Sequence, residues 1–142
     1  MLKMSLKPRD VLYFFMTEKN KIFGRLSDGI DKITIPADKG IVGYTFKIKE
    51  PVLTNDAYSH PKFLSQVDKS TGYKTRNIIT SPIFSSKREV IAVLQLLNKE
   101  EDFDEEDKKF MTFFSHYISG FLELSDVFLR EDMKLKEVTI NE

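Results

Sequence analysis

The chain contains no cysteine among its 142 residues. The absence of thiols excludes disulfide bonds, thiolate metal sites, thiol nucleophiles and any cofactor attached through sulfur. Neither sign of charge is in surplus, because 22 Lys and Arg residues balance 22 Asp and Glu residues. A nucleic-acid-binding face needs an excess of cations, so this balance argues against a nucleic-acid partner.

Long hydrophobic runs are also missing. The N-terminus has no apolar segment of the signal-peptide kind, and the run 11–16 is far too short to span a bilayer. We therefore expect a single cytoplasmic domain with no membrane partner. The apolar share of 41%, with 12 Phe and 5 Tyr, is sufficient for a hydrophobic core.

The N-terminal part of the chain has the pattern of short strands joined by tight turns. The aromatic run 11–16 predicts a buried strand, residues 18–20 a hairpin turn, and residues 21–27 a second strand. Residues 32–35 alternate polar and apolar side chains and predict a third strand. Three consecutive strands with short connections indicate the antiparallel edge of a sheet.

The middle of the chain predicts a helix followed by a long functional segment. Residues 41–48 predict a short helix with Asp38 near its N-cap, and residues 51–54 a brief extended piece. Residues 55–76 mix Pro, Gly and polar residues with scattered apolar ones. A stretch this long without strong periodicity is typical of a functional loop or lid, here with one helical turn.

The C-terminal half predicts a hairpin and then a long helix. Residues 77–84 and 89–97 flank a four-residue turn, and Pro82 predicts a bulge or an unpaired position. The apolar run 90–97 is typical of a central strand covered on both faces. The acidic residues 104–107, which follow Phe103, favour a helix start, and we expect the charged tail after Arg130 to fray.

The long helix carries apolar residues at heptad spacing. One series contains Phe110, Phe114, Tyr117, Phe121, Leu124 and Phe128, and a second contains Phe113, Ile118, Leu122, Val127 and Leu129. This surface is wider than a sheet cover requires. We expect residues 110–128 to cover the sheet with one face and to form a homodimer seam with another.

Four stretches have the character of one sensory family. They read IPADKGIVG at 35–43, NDAYSHP at 55–61, VDKSTGYKTRNI at 67–78 and VIAVLQLLNK at 90–99. Together they closely resemble a GAF domain of the kind found in cyclic-nucleotide phosphodiesterases and some bacterial adenylate cyclases. The resemblance covers roughly residues 11–124, and the lid residues 68–77 are its most diagnostic part.

The resemblance implies the fold class, α/β (α+β). A central antiparallel β-sheet of about six strands would carry a lid on one face and a long C-terminal helix on the other. Residues 1–142 would form a single domain, with a core at about 11–124 and a helical extension and tail at 125–142. The family signature is matched by Asn98, Lys99, Phe103 and Asp107, with Lys108 in place of the usual Glu. In the family its Lys–Asp pair is a structural salt bridge.

The resemblance also implies a pocket between sheet and lid that closes around cyclic AMP or cyclic GMP as a ligand, with no cofactor and no metal. The phosphate would lie at the N-terminus of the helix, on the backbone N–H groups of Ile41 and Val42, where Gly40 and Gly43 would allow close approach. The other positions that correspond to nucleotide-lining residues are Leu26, Ser27, Asp68, Thr71, Thr75 and Gln95.

Several positions depart from the family pattern. The family often has an aromatic residue and an Asp at the positions of Leu26 and Ser27, and close relatives can carry Glu at Gln95. Some relatives use Tyr at the position of Leu64 and Ser at that of Leu12. These departures remove or neutralise polar contacts and leave the base identity open.

Two readings of function remain open. The first is a sensor that relays nucleotide occupancy through a dimeric helix to an output domain or partner protein outside this chain. The second is a ligand-free dimerisation module, in which the lid residues Asp68, Thr71 and Thr75 only cap local backbone. No catalytic constellation is present, since His60 and His116 lack matching carboxylates and no nucleophile elbow occurs. Within the family, the methionine sulfoxide reductases and the bilin-attaching domains need cysteines. Because this chain has no cysteine, both of these functions are excluded.

Overall fold

A computed structural model describes residues 10–16, 21–26 and 33–140. Within these residues six strands and three α-helices occur in the predicted order, with a short 3-10 helix, Ala57–Ser59, in the lid. The strands are β1 Asp10–Met16, β2 Lys21–Leu26, β3 Ile33–Pro36, β4 Val52–Thr54, β5 Ile78–Phe84 and β6 Val90–Leu97. The helices are α1 Gly40–Ile48, α2 Ser65–Thr71 and α3 Glu105–Ile140.

The strands form one antiparallel sheet in the order β3-β2-β1-β6-β5-β4. The apolar strand β6 pairs with β1 on one side and β5 on the other, so its central position is as predicted. Successive side chains of a strand point to opposite faces. The residues of β5 and β6 are accordingly divided between two hydrophobic cores, one on each face.

The first core lies on the face covered by α1 and the lid. Its buried members are Ile41, Val42, Phe46, Val52, Ala57, Ile78, Val93 and Leu97. Partly buried side chains of the lid, namely Phe63, Leu64, Val67 and Tyr73, pack against it. The second core lies under α3 and contains Ile79, Ile83, Ala92, Leu94, Leu96, Phe103 and Met111. The predicted α+β class, with lid and long helix on opposite faces, is confirmed.

The start of α1 differs from the prediction. Its N-cap is Lys39, in an extended conformation and without a side-chain cap, so Asp38 does not cap the helix. The reason is the turn before the helix, in which the Lys39 N–H donates to the carbonyl of Pro36 at 3.1 Å. This turn moves the first helical residue one position further along the chain than a cap by Asp38 would need.

Two further predictions are corrected. Pro82 stays in register with Val93, and the register shift falls between Ile83 and Phe84. Proline fits because β4 begins at Val52, opposite Thr80, and does not reach Pro82, so β5 has only β6 as a neighbour at this point. The tail after Arg130, which we expect to fray, is helical as far as Ile140, since residues 131–138 are mostly good helix formers. The predicted turn at 18–20 lies outside the described residues.

The apolar residues of α3 are sorted differently from the heptad series. The side that meets the sheet contains Asp107, Met111 and Ser115, all buried, and the partly buried Phe114 and Ile118. Large apolar side chains on the other side are exposed, with Phe113 at 70%, Tyr117 at 77%, Phe121 at 73% and Leu124 at 66%. We call these four residues the exposed stripe. Each heptad series therefore contains members of both sides.

Candidate functional site

Two of the predicted ligand positions lie on one row of paired residues across the sheet. Leu26 pairs with Leu12, Leu12 with Gln95, and Gln95 with Thr80. These two positions are Leu26 and Gln95. Ser27, the next predicted position, lies outside the described residues.

Gln95 and Thr80 are the two polar residues of this row. Gln95 alternates with Leu94 and Leu96 of the second core and so belongs to the lid-side face, and it is 7% exposed. No side-chain hydrogen bond joins its amide to another described residue. The amide is therefore available to a ligand or to water.

A pair of threonines joins α1 to the sheet beside Gln95. The hydroxyls of Thr45 and Thr80 lie 2.7 Å apart, and both residues are fully buried. The Thr45 hydroxyl also donates to the carbonyl of Ile41 at 2.8 Å, and the Thr80 hydroxyl donates to the carbonyl of Val52 at 3.5 Å. This bond fixes α1 on β5 one turn after its N-terminus.

The first turn of α1 presents unused donors. The N–H groups of Gly40, Ile41 and Val42 have no acceptor among the described residues, and Ile41 and Val42 are each 3% exposed. Gly40 starts the helix at φ 74°, a conformation that favours glycine. Free N–H groups at a helix N-terminus, where the helix dipole is positive, can bind an anion.

Gly43 has a different role from the one expected for it. A Cβ at this position would lie 2.7 Å from the carbonyl oxygen of Ala37 and 3.0 Å from the carbonyl carbon of Asp38. Glycine is therefore required because α1 packs directly on the turn that precedes it. Close approach of a ligand is not needed to explain this residue.

The lid is held together by the Asp68 carboxylate. Asp68 is 6% exposed and accepts hydrogen bonds from the Thr75 N–H at 2.8 Å, the Thr75 hydroxyl at 2.8 Å and the Tyr58 hydroxyl at 2.7 Å. The bond to Asp68 raises the pKa of Tyr58 above its ordinary value. The two predicted ligand residues Asp68 and Thr75 are thus in contact with each other. Thr71 is the last residue of α2.

The signature residues gather at the start of α3. The Lys99 ammonium lies 2.7 Å from the Asp107 carboxylate, and both side chains are nearly buried. Asp104 and Asp107 form a reciprocal cap in which each carboxylate accepts the other's N–H, at 3.0 and 2.9 Å. The hydrogen bond from the Asp107 N–H lowers the pKa of the Asp104 carboxyl. Phe103 is buried in the second core.

Three residues that sequence reasoning did not select complete this region. The Asn55 side chain pairs with both the N–H and the carbonyl of Phe103, at 2.8 and 3.0 Å. Arg76 and Asn77 bind the backbone carbonyls of the loop before α3. A side chain that bonds to backbone far away in the chain leaves no periodic pattern in the sequence. The one signal for these residues was that stretches 55–61 and 67–78, which contain them, resemble the GAF family.

The remaining titratable groups of the described part of the chain form no metal site. Among the described residues no group of three or more His, Asp or Glu side chains could hold an ion. His60 accepts the Lys62 N–H on Nδ1 at 3.1 Å, and partial burial together with Lys62 lowers its pKa. A search of the described residues for a helix long and apolar enough to cross a membrane found none.

The family follows from a comparison with protein-family models, in which the GAF domain model matches residues 6–122. The chain belongs to the GAF domain family. A curated relative, the dual 3',5'-cyclic-AMP and -GMP phosphodiesterase 11A of Takifugu rubripes, is 41% identical over 81 residues. That match covers 55% of this chain and 9% of the relative, so the GAF domain spans a small part of the relative's length.

Solved structures share the fold of this GAF domain. The GAF domain of a phosphoenolpyruvate-protein phosphotransferase from Coxiella burnetii has a TM-score of 0.73 at 15% identity, over 84% of this chain and 74% of that one. The free methionine-R-sulfoxide reductase of Neisseria meningitidis has a TM-score of 0.68 at 19% identity, over 82% and 68%. Because GAF folds include both kinds of protein, the fold alone does not identify a ligand.

Proposed function

We propose that this GAF domain is a regulatory sensor of signal transduction that binds cAMP or cGMP between sheet and lid. The observation that carries the proposal is the buried N-terminus of α1, with N–H groups that have no acceptor among the described residues, packed in the same core as the lid. The sequence similarity to the region of a dual cyclic-AMP and -GMP phosphodiesterase supports the choice of anion.

The helix end cannot supply most of the affinity. Its dipole contributes about 0.3–2 kcal/mol, whereas a micromolar site requires roughly 8 kcal/mol. Burial of base and ribose must provide the remainder. The amide of Gln95, which has no side-chain hydrogen bond to another described residue, is suited to contact the base, because it can both donate and accept.

The lid residues have two proposed roles. Leu26, Ser27 and Thr71 line the nucleotide, as the family resemblance implies. Asp68 and Thr75 act by holding the lid in its closed form, since the Asp68 oxygens already accept three hydrogen bonds.

The ligand is tested by thermal unfolding of the purified chain with and without cAMP and cGMP. A ligand at about a hundred times its Kd adds roughly 2.7 kcal/mol, which raises the melting temperature by about 5–15 °C for a domain of this size. AMP and GMP serve as matched controls that lack the cyclic phosphate. No shift with either cyclic nucleotide at millimolar concentration contradicts the proposal.

The role of Asp68 is tested by Asp68→Ala, with Lys69→Ala on the exposed side of the same helix as the control. We expect weaker nucleotide binding by Asp68→Ala in isothermal titration, with an unchanged far-UV circular dichroism spectrum. Loss of the fold would instead assign Asp68 a structural role.

The exposed stripe supports a homodimer as part of the same proposal. Four large apolar side chains on one side of a helix form a surface that monomers rarely leave in water. We expect Phe121→Asp to give a stable monomer in analytical ultracentrifugation, while Thr112→Asp, at an exposed polar position of the same helix, leaves the dimer intact. A wild-type protein that is monomeric at high concentration contradicts this expectation.

A ligand-free dimerisation module is the second candidate. It is favoured by Leu64, which packs in the first core at a position where some relatives have Tyr, and by the saturation of Asp68 within the lid. In this case neither cyclic nucleotide changes the melting temperature, while the protein still dimerises through the exposed stripe.

An enzymatic function is not part of the proposal. A structural neighbour is a methionine sulfoxide reductase, but the GAF enzymes of that kind depend on cysteine, which this chain lacks. A cytoplasmic location, and an output domain or partner protein that receives the signal, complete the proposed function.

A further inference from the structure

The lid is attached to a short extended segment that leads back to the sheet. This segment, residues 73–77, is called the return limb here. The Asp68 carboxylate of α2 binds the N–H and the hydroxyl of Thr75, both at 2.8 Å. The N–H of Ala57, at the start of the 3-10 helix, donates to the Arg76 carbonyl at 2.9 Å. Both helical pieces of the lid are therefore fixed to adjacent residues of the return limb.

The same segment holds the loop that precedes α3. The Nη2 atom of Arg76 lies 2.6, 2.9 and 2.9 Å from the carbonyl oxygens of Lys99, Glu100 and Glu101. Its Nη1 atom forms an ion pair with Asp102 at 3.1 Å. One guanidinium thus binds four consecutive residues, which lead directly into the capped start of the helix.

Two asparagines strengthen the link between limb and loop. The fully buried Asn77 amide donates to the carbonyls of Lys99 and Glu101 at 3.2 and 3.0 Å. The Asn98 side chain accepts the Arg76 N–H at 2.7 Å and donates to the Lys74 carbonyl at 2.8 Å. Several polar contacts on either side of Thr75 therefore join the limb to the loop.

We propose that the return limb couples the lid to α3, and that Arg76 is the positioning residue that transmits a movement of the lid to the start of this helix. The proposal rests on the proposed function for the signal that moves the lid. Asp68 cannot leave its position without releasing Thr75, and Arg76 follows Thr75 in the chain. The planar fork of arginine can bind several carbonyls together, whereas the single ammonium of lysine cannot reproduce this geometry.

The coupling is tested by hydrogen exchange, first without nucleotide. Asp68→Asn weakens the attachment of the lid, and we expect it to speed amide exchange at residues 108–112 of α3. The expected factor is roughly tenfold, as for the loss of one charge-assisted hydrogen bond. In the Arg76→Lys background the same substitution should leave exchange at 108–112 unchanged. Arg88→Lys, in the exposed turn at the opposite end of β5, is the matched control and should preserve the effect.

Two results would overturn the proposal. One is an equal effect of Asp68→Asn on α3 in the wild-type and Arg76→Lys backgrounds. The other is no effect of Asp68→Asn on α3 in the wild-type background. Arg76→Ala is a second, more severe variant that removes the whole guanidinium. If Arg76→Ala does not fold, the comparison with Arg76→Lys alone tests the coupling.

A second arm separates this proposal from the proposed function. If cAMP or cGMP protects α3 in the wild type, the Arg76→Lys variant should bind the same nucleotide in isothermal titration with less than about a tenfold loss of affinity but lose the protection of α3. Retained protection contradicts the coupling. If neither nucleotide binds the wild type, the proposed ligand is wrong, while the experiment without nucleotide still decides the coupling.

Discussion

The ion pair between Lys99 and Asp107 allows two contributions to stability to be separated. The Asp107 carboxylate accepts both the Lys99 ammonium and the Asp104 N–H, at 2.7 and 3.0 Å, and the two charged side chains are only 5% and 6% exposed. Asp107→Asn keeps an amide oxygen for the Asp104 N–H but leaves a buried ammonium without a counter-charge.

The expected cost of Asp107→Asn distinguishes the ion pair from the cap. A buried charge that has lost its partner costs about 3–5 kcal/mol, whereas the loss of a helix cap costs about 1 kcal/mol. For a chain of 142 residues the larger value lowers the melting temperature by roughly 10–20 °C. Asp104→Ala removes the exposed member of the cap alone and should cost only the smaller amount.

Urea unfolding followed by circular dichroism measures these differences. Adding Lys99→Met to Asp107→Asn removes the unpaired ammonium and should recover much of the lost stability, because two neutral groups replace the broken pair. The reasoning is refuted if Asp107→Asn costs no more than Asp104→Ala, or if the double variant is no more stable than Asp107→Asn.

Three further predictions concern α1 and the lid. Gly43→Ala places a Cβ 2.7 Å from the Ala37 carbonyl and should lower the unfolding free energy by about 1–3 kcal/mol, whereas Gly120→Ala meets no atom within 4 Å and should not destabilise α3. A Gly43→Ala protein as stable as wild type in urea would contradict the packing described. Thr80→Val removes the hydroxyl that joins α1 to β5 and should cost about 1 kcal/mol, with Thr80→Ser close to wild type. The raised pKa of Tyr58 means that its hydrogen bond to Asp68 is fully present below pH 10.0 and lost as the pH rises through the raised value. The ultraviolet titration difference between wild type and Tyr58→Phe should therefore have its midpoint above 10.0, and a midpoint at or below it would refute this bond.

The order of strands and helices was predictable because each element depends on the pattern of apolar and polar residues within a short stretch of sequence. The continuous apolar run of β6 indicated a strand between two neighbours, and the acidic residues before α3 indicated a helix start. The boundaries were less predictable. The N-cap at Lys39 depends on a turn whose hydrogen bond cannot be read from residue types alone.

The arrangement of side chains was predictable only in part. Gln95 was assigned to the lid side, in agreement with strand alternation in the sheet. On α3, however, apolar residues occur on both sides, so heptad counting could not separate them, and the fully buried Met111 belonged to neither series. Arg76 was missed because its partners lie 23 to 26 positions away in the sequence.

The length of α3 has a geometric consequence. Its 36 residues correspond to about 54 Å at 1.5 Å per residue, which is longer than a single domain of this size needs to cover its sheet. A rigid rod held at one end amplifies rotation into displacement. A tilt of about 5° at the capped start would move the far end by roughly 5 Å over that length, so a small rearrangement at the first turn suffices for a displacement of nearly one helical turn.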